Sequence, residues 1–215
     1  PSSEEDPTGF KPMAALAAAR DALARALRDN DVTAIMAVTV IFNIWGFPFV
    51  AMIPVIGAEE LGLSPSEVGY MASVEGALGL VGAILVGLWA RETAYRRIYF
   101  VGVAGQITCV GLIGILNDVV LICAALGAAG FFTAMFAGMQ STLIYRVAPP
   151  EMRGRYLGLI SICIGAGLIG FANVGIMAEL YGASTALMIL AGEGMLALIA
   201  LAAFWRALRQ EFGLA

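Results

Sequence analysis

Long apolar runs separated by short polar stretches dominate the sequence. Six of these runs hold about 20 residues or more, and a helix of that length crosses a hydrocarbon core of about 30 Å. One such run alone is compatible with a buried core helix, whereas six in succession predict a polytopic all-α membrane protein. The runs predict transmembrane helices at about residues 32–56, 65–90, 98–116, 119–145, 156–177 and 185–205.

Prolines and capping residues mark the breaks and ends of these predicted helices. Pro48 and Pro54 lie in or near the outer half of the first run, and proline in a helix interior removes a backbone hydrogen bond. We therefore expect a kink there, with the freed carbonyl groups satisfied by neighbouring helices. Residues 57–64 are expected to turn the chain, and Ser64 and Glu67 form a capping box that starts the second helix.

Small residues are frequent in the fourth run. Because small side chains let membrane helices approach closely, the fourth helix is expected to pack tightly along one seam. This seam comprises Gly127, Gly130, Ala134, Ala137, Gly138 and Ser141.

The first 30 residues differ from the apolar runs that follow. Residues 1–12 are polar and predict a disordered leader, while residues 210–215 form a short tail. Residues 13–30 are rich in alanine and predict an amphipathic cytoplasmic helix, which either lies along the membrane surface or is a soluble linker. Its apolar face comprises Leu16, Ala19, Leu23, Ala26 and Leu27.

Basic residues fall on one side of the predicted membrane. All twelve Lys and Arg lie before the first helix, after the second, between the fourth and fifth, or after the sixth. The charged residues of the three intervening loops are Glu59, Glu60, Asp118 and Glu179. Because cytoplasmic loops carry the excess of Lys and Arg, we expect both chain ends in the cytoplasm.

Composition narrows the possible chemistry. The chain is 60% apolar and 13% charged, whereas a soluble domain carries about 25% charged residues. It has no histidine, which removes the commonest transition-metal ligand and any Ser-His-Asp arrangement. A Gly-rich phosphate loop is missing, and the basic loops are too short for a nucleic-acid surface. We therefore predict no enzymatic activity, no cofactor, no metal and no nucleic-acid partner.

Two of the basic loops resemble loops of the major facilitator superfamily of secondary transporters. That family places Gly-x-x-x-Asp-Arg-x-Gly-Arg-Arg after the second helix of a half, and residues 87–97 read Gly-Leu-Trp-Ala-Arg-Glu-Thr-Ala-Tyr-Arg-Arg. The leading glycine and the final arginine pair fit, while Arg91 and Glu92 reverse the acid–base order and Ala94 replaces the inner glycine. Residues 149–158, PPEMRGRYLG, are the more specific match and resemble the loop before the family's eleventh helix.

The resemblance implies a fold and a way of working. It covers residues 13–209 and looks closest to bacterial efflux permeases of the siderophore and drug exporter type, which implies the inner membrane. Such transporters have twelve helices in two halves, each built from two inverted three-helix repeats, so six helices imply the second half. The chain starts with proline rather than methionine. It is then a fragment, a natural half that pairs with itself or a partner, or a repurposed half.

Two acidic residues lie inside predicted helices, where an ionisable side chain costs at least about 2.5–3.5 kcal/mol. Glu75 is near the middle of the second helix, which by resemblance flanks a central cavity. It is the candidate for proton coupling or cation binding, and a protonated acid bonded to a neighbouring helix is the alternative. Glu193 lies at similar depth in the sixth helix, which is peripheral in the family, and is expected to be a buried acid with a structural role.

Polar and aromatic residues of three predicted helices are candidates for substrate contact, because the resemblance implies that these helices line a cavity. The polar ones can equally form interhelical hydrogen bonds worth about 0.6 kcal/mol each, and the aromatic ones can pack against lipid or other helices. The substrate-cavity candidates are Asn43, Trp45, Phe47, Phe136, Gln140 and Asn173.

Loop residues form a second set of candidates, since the family closes its cytoplasmic side with charged latches. Topology alone also explains each arginine, and it is the alternative here. The cytoplasmic gate candidates are Gly87, Arg91, Glu92, Arg96, Arg97, Glu151 and Arg153.

Together these features predict half of a secondary active transporter that exports small amphipathic or drug-like molecules by proton-coupled alternating access. Its predicted partners are the lipid bilayer, a matching six-helix half and a small-molecule substrate. The alternative is a non-transporting structural or assembly subunit of a larger membrane complex, in which the polar residues are buried in permanent contacts.

Overall fold

The computed structural model of the chain describes residues 12–204, with side chains described for residues 19–203. Within that part of the chain no residue is in a β-strand, and six helices are long and apolar enough to cross a membrane. This confirms the predicted all-α membrane fold. We call these helices span 1 to span 6 in chain order, and they cover Asn30–Glu60, Pro65–Trp89, Glu92–Ile115, Val119–Val147, Pro150–Tyr181 and Ala183–Ala203.

The ends of three spans differ clearly from the predicted ones. Span 1 continues to Glu60, because a final π-helical turn, Ile56–Glu60, occupies the positions where a turn was expected to begin. Span 3 begins at Glu92 rather than at residue 98, with a 3-10 turn. Span 5 begins earlier than predicted, with a 3-10 turn at Pro150. The predicted leader lies outside the described residues except for its last residue, and the predicted tail lies wholly outside them.

Span 1 is broken in its middle, as its prolines predict. An α-helix, Asn30–Ile41, passes into a π-helical segment, Phe42–Gly46, and then into a 3-10 turn that starts at Pro48. Proline has no N–H to donate to the carbonyl group four residues before it. The helix widens one turn earlier, where the Phe47 N–H donates to the Phe42 carbonyl oxygen at 2.9 Å. We call Phe42–Gly46 the π segment.

Contacts between the spans follow the symmetry of two inverted three-helix repeats, spans 1–3 and spans 4–6. Span 2 packs along span 4 and span 5 packs along span 1, which is the same pairing with the repeats exchanged. Span 3 packs along span 6, its counterpart in the other repeat. The buried core therefore lies among spans 1, 3, 4 and 6, and the middle of span 1 runs through it.

The predicted small-residue seam of span 4 faces span 2. A side chain at Gly130 would overlap the backbone carbonyl of Glu75, and one at Gly127 would overlap the Leu78 side chain. Farther along, a Cβ added at Gly138 would lie 3.7 Å from the Val86 side chain, which is an ordinary contact distance. The two backbones thus approach most closely at Gly130, because glycine carries no side chain there.

The helix Pro12–Ala26 packs on the first half of span 5. It buries Ala22 and Ala26, which are 2% and 0% exposed, whereas Leu23 and Leu27 are 38% and 58% exposed. Leu23 and Leu27 of the predicted apolar face are therefore left uncovered by this chain, and the predicted placement of that face on the membrane surface stays a prediction. The small alanines let this helix lie close to span 5, and each leucine, one residue farther on, is turned away by about 100°.

Candidate functional site

The π segment of span 1 is the centre of an aromatic stack. The Phe42 ring lies parallel to the Phe136 ring of span 4, with 3.8 Å between their centroids and 13° between their planes. The Tyr99 ring of span 3 also stacks on Phe136, with 5.2 Å between their centroids and 16° between their planes. Phe47, directly after the π segment, lies 6.4 Å from Phe42. Three spans thus meet through ring faces at the point where span 1 loses its regular helix.

A buried polar cluster lies one turn before the π segment. The Tyr99 and Thr39 hydroxyl groups are 2.7 Å apart, and the Gln140 amide donates to the Thr39 hydroxyl oxygen at 3.1 Å. The Thr39 hydroxyl in turn donates to the Ile35 carbonyl at 2.8 Å. The Asn43 amide donates to the Thr39 carbonyl at 2.8 Å. Two predicted cavity residues, Asn43 and Gln140, therefore belong to one network that joins spans 1, 3 and 4.

A second polar cluster lies on the other side of the π segment. Oε2 of Glu193 in span 6 accepts one hydrogen bond from the Trp45 indole at 2.9 Å and another from the Asn173 amide at 2.8 Å. Gly194 makes this approach possible, since an added Cβ there would lie 2.5 Å from the Trp45 Cβ. Within the described chain the Glu193 side chain is exposed, at the edge where spans 1, 5 and 6 meet, so its predicted burial would have to come from lipid or a second half. Its predicted structural role stays a prediction.

Gln106 of span 3 supports the π segment from inside the bundle. Its side chain is 0% exposed, and its amide donates to the Gly46 carbonyl at 3.1 Å. A carbonyl group released from the regular helical ladder needs such a partner inside a membrane. The amide oxygen of Gln106 is buried and has no partner among the described residues.

Glu75, the predicted coupling residue, lies outside both clusters. Its side chain is half-buried in span 2 and makes no hydrogen bond or ion pair with any residue of the described part. Span 2 is also the least buried span. In its most apolar stretch of 18 residues, 11% is buried, against 56% in the corresponding stretch of span 1. Glu75 is thus an acid on a helix that is largely uncovered within this chain.

Two ion pairs tie the first turns of span 3 to the rest of the chain. Arg96 pairs with Asp31, at the start of span 1, at 2.5 Å. Glu92 pairs with Arg146, at the end of span 4, at 3.3 Å, and Arg146 also donates to the Glu92 carbonyl at 3.0 Å. A cavity of about 370 Å³ lies beside this second pair. The predicted gate residues Glu92 and Arg96 therefore form pairs within this half.

The other gate candidates are less constrained. Gly87, Arg91 and Glu151 are exposed, and no atom lies within 4 Å of a side chain placed at Gly87. Arg153 lies over the Tyr145 ring at 5.8 Å, with its Nε buried and without a partner in the described part. Arg97 is exposed and does interact with other residues.

Some residues that hold these sites together are missing from the predicted sets. They are Asp31 and Arg146 in the ion pairs, and Thr39 and Tyr99 in the buried cluster. Helical spacing contains a weak signal for one of them, because Thr39 is four residues before Asn43 and one turn away on the same face. Nothing in the local sequence pairs Asp31 with Arg96, which lies 65 positions later.

Six spans, with a broken first span that carries polar and aromatic groups, define a polytopic membrane protein of the α-helical class. The family model of the Major Facilitator Superfamily matches residues 33–212 of the chain. The chain therefore belongs to that family, as its loop motifs predict, and is a membrane transporter whose six spans fit one six-helix half. No curated protein matches the chain in a sequence comparison.

Proposed function

We propose that the chain is one half of a proton-coupled exporter of small amphipathic molecules, working by alternating access with a second six-helix half. One observation carries the proposal, namely that the predicted cavity residues gather around the π segment. Asn43 and Trp45 belong to the segment, and Phe47 and Phe136 meet its Phe42 ring. The remaining two candidates are joined to it through the two polar clusters. Irregular backbone within a membrane is tolerated where it serves a site, and transporters of this kind bind cargo at broken helices.

The chemistry around the π segment favours an amphipathic cargo. Phe47 and Phe171 meet edge to face at 6.0 Å, and they are 38% and 37% exposed, so ring surface is available. The amide oxygens of Asn43 and Gln140 accept no hydrogen bond from the described residues, although both amide nitrogens donate. Apolar surface with a few polar groups is typical of small-molecule sites. A cargo with an aromatic or aliphatic body and a hydrogen-bond donor suits this combination.

Glu75 is the candidate for coupling within this proposal. A charged carboxylate in the bilayer costs at least about 2.5–3.5 kcal/mol, and Glu75 makes no ion pair or hydrogen bond that would offset this within the described chain. A bound proton removes the charge, and a second half facing span 2 supplies the missing polar contact. Either event changes how Glu75 interacts when the halves rock, which is what proton coupling requires.

The ion pairs support rocking of this half as one body. They join the first turns of span 3 to spans 1 and 4, so that these three spans are held together at one end. The distribution of arginines favours a cytoplasmic position for this end and for both chain ends, in a bacterial inner membrane.

One observation favours the alternative, a structural or assembly subunit. The hydrogen bonds of Thr39, Tyr99 and Gln140 are buried and bind three spans together, which suits permanent packing as well as a binding site. A structural subunit would bind no small cargo and would pass no flux.

The test is transport by purified protein in liposomes. The chain is reconstituted alone and with a second six-helix half, a pH gradient is imposed, and uptake of the amphipathic dye ethidium is followed by fluorescence. We expect gradient-driven dye movement in at least one arrangement, and a loss of gradient dependence in Glu75→Gln with dye binding retained. Phe136→Ala should weaken dye binding about tenfold, since it removes the middle ring of the stack.

Glu59→Gln is the matched control, because Glu59 is an exposed acid in the last turn of span 1. It should leave dye binding and flux unchanged. Unaltered gradient dependence in Glu75→Gln would remove that residue from the mechanism. Absence of both dye binding and flux in every arrangement would support the structural subunit instead.

A further inference from the structure

Glu193 has the geometry of a proton-binding site. It is the eleventh residue of the 22-residue helix Ala183–Phe204, so it lies at the middle of a membrane-spanning helix. Trp45 is the sixteenth residue of the 31-residue span 1, which places its indole at a similar depth. An ionisable residue at this depth is expensive and is usually functional.

The two contacts of Glu193 leave room for a proton. Trp45 and Asn173 both donate to Oε2, at 2.9 and 2.8 Å, and Oε1 accepts no hydrogen bond from the described residues. Neither donor carries a charge, and Glu193 forms no ion pair within residues 19–203. The negative charge is therefore stabilised by two neutral donors alone, and a proton on Oε1 would neutralise it without displacing either donor.

Protonation would weaken the two contacts rather than abolish them. A hydrogen bond to a carboxylate is roughly twice as strong as one between neutral groups. Trp45 belongs to the π segment, and Asn173 belongs to the second half of span 5, so the carboxylate ties three spans together. Gly194 and Gly170 make this region close-packed, since side chains there would overlap Trp45 and the Ile44 carbonyl.

We propose that Glu193 is a proton-binding carboxyl group whose charge state sets how firmly the π segment is held to spans 5 and 6. With the proton absent, Trp45 and Asn173 are held by charge-assisted hydrogen bonds. With the proton present, these bonds weaken and the π segment gains freedom to move. Proton binding itself requires no cargo, but its use in coupling rests on the proposed transport function.

Two titratable groups on the spans that pack against span 6 have hydrogen-bond partners other than Glu193. Glu60 accepts hydrogen bonds from Ser184, and Tyr99 is bonded to Thr39. No hydrogen bond or ion pair joins Glu193 to any titratable side chain of the described spans 1, 3 and 5. The titratable groups along those spans are Asp31, Glu59 and Glu60 on span 1, Glu92, Tyr95, Arg96, Arg97, Tyr99 and Cys109 on span 3, and Glu151, Arg153, Arg155, Tyr156, Cys163, Glu179 and Tyr181 on span 5.

The first test uses the fluorescence of Trp45, whose indole touches the carboxylate. The chain has three tryptophans, and Trp89→Phe with Trp205→Phe leaves Trp45 as the single reporter. Emission is recorded in detergent or liposomes, without cargo, from about pH 4 to about pH 9. We expect one sigmoidal change, with the high-pH form showing the tightly held indole.

Two variants of this single-tryptophan protein decide the assignment. Glu193→Gln keeps an oxygen acceptor but cannot ionise, and its emission should not change with pH. Glu75→Gln is the matched control, an acid removed from another span, and should keep the change with the same midpoint. A transition that persists in Glu193→Gln, or no transition in the unsubstituted reporter, would overturn the proposal.

A second measurement needs no variant. Dicyclohexylcarbodiimide reacts with protonated carboxyl groups in apolar surroundings, and mass spectrometry of peptides locates the adduct. Labelling of Glu193 should fall about tenfold per pH unit above the midpoint seen by fluorescence. Labelling that stays constant with pH, or that never reaches Glu193, would show that this residue does not exchange a proton. Failure of dye transport with both results positive would reject the transport proposal and leave the proton site intact.

Discussion

Span 1 and span 2 are neighbours in sequence, yet they are held in the bundle by opposite means. Span 1 is irregular, and about half of its most apolar 18-residue stretch is buried. Its π segment accepts a hydrogen bond from span 3 and donates one to span 6. Span 2 is an uninterrupted α-helix with 11% of the corresponding stretch buried, and it meets span 4 through glycine backbone. A broken helix needs polar partners in a membrane, whereas a regular one needs only a close surface.

This difference bears on the two acids of the membrane region. Glu193 is reached by donors from spans 1 and 5, and the donor of span 1, Trp45, belongs to the π segment. Glu75 sits on the regular, uncovered helix and has no partner among residues 19–203. Glu193 is therefore bonded within this half, while Glu75 can be satisfied only by a contact from outside the half or by a proton.

The largest loss of stability is expected where span 2 packs against the backbone of span 4. Gly130→Val would drive a branched side chain into the Glu75 carbonyl, and rigid backbone cannot give way as a flexible side chain can. We expect a loss of more than about 3 kcal/mol of stability, which for a membrane protein means loss of folded material. Yield and the thermal melting temperature in detergent measure this.

Gly138→Ala is the control for that substitution, since the nearest atom to its new methyl group lies 3.7 Å away on Val86. It should fold as the unsubstituted protein does. Equal yields for Gly130→Val and Gly138→Ala would show that the close approach of spans 2 and 4 does not hold span 2 in place.

A smaller loss is expected where span 1 depends on a polar contact. Gln106→Met keeps the side-chain volume but leaves the Gly46 carbonyl without its donor in the core. A buried polar group left unpaired costs about 1–3 kcal/mol. Thr108→Val on the same span is the control, because that exposed hydroxyl bonds only to its own helix at Ala104. Melting temperatures that fall equally in both would contradict a special role for Gln106.

The number of spans, their order and the break in span 1 follow from local sequence, because each depends on a run of about 20 residues or on proline chemistry. The rotation of each helix does not. Hydropathy along a uniformly apolar helix is similar on every face, so the pattern could not show that Tyr99 reaches Thr39, 60 positions earlier.

Two contacts show the same limit in physical terms. The helix Pro12–Ala26 meets span 5 with Ala22 and Ala26, and the alternation of alanine and leucine along this helix does not show which of them face span 5. Glu193 lies at the bundle edge and reaches inward to its donors, which its place in an apolar run does not show. In both cases the contact depends on the distance between two helices, which one helix alone does not encode.

The smallest loss of stability is expected just after the end of span 2, where the Glu92–Arg146 pair joins spans 3 and 4 in water rather than in the core. Their side chains are 76% and 48% exposed, so solvent screens the attraction and the pair contributes at most about 0.5 kcal/mol.

A double-mutant cycle with Glu92→Gln and Arg146→Gln, read by thermal melting at low and high salt, measures the coupling. Arg146 also donates to the Glu92 backbone carbonyl, a contact that Glu92→Gln retains. Coupling should therefore vanish at high salt, while the effect of Arg146→Gln alone persists. A salt-independent coupling energy above about 1.5 kcal/mol would mean that the Glu92–Arg146 contact stabilises the protein as much as a buried polar contact of span 1 does.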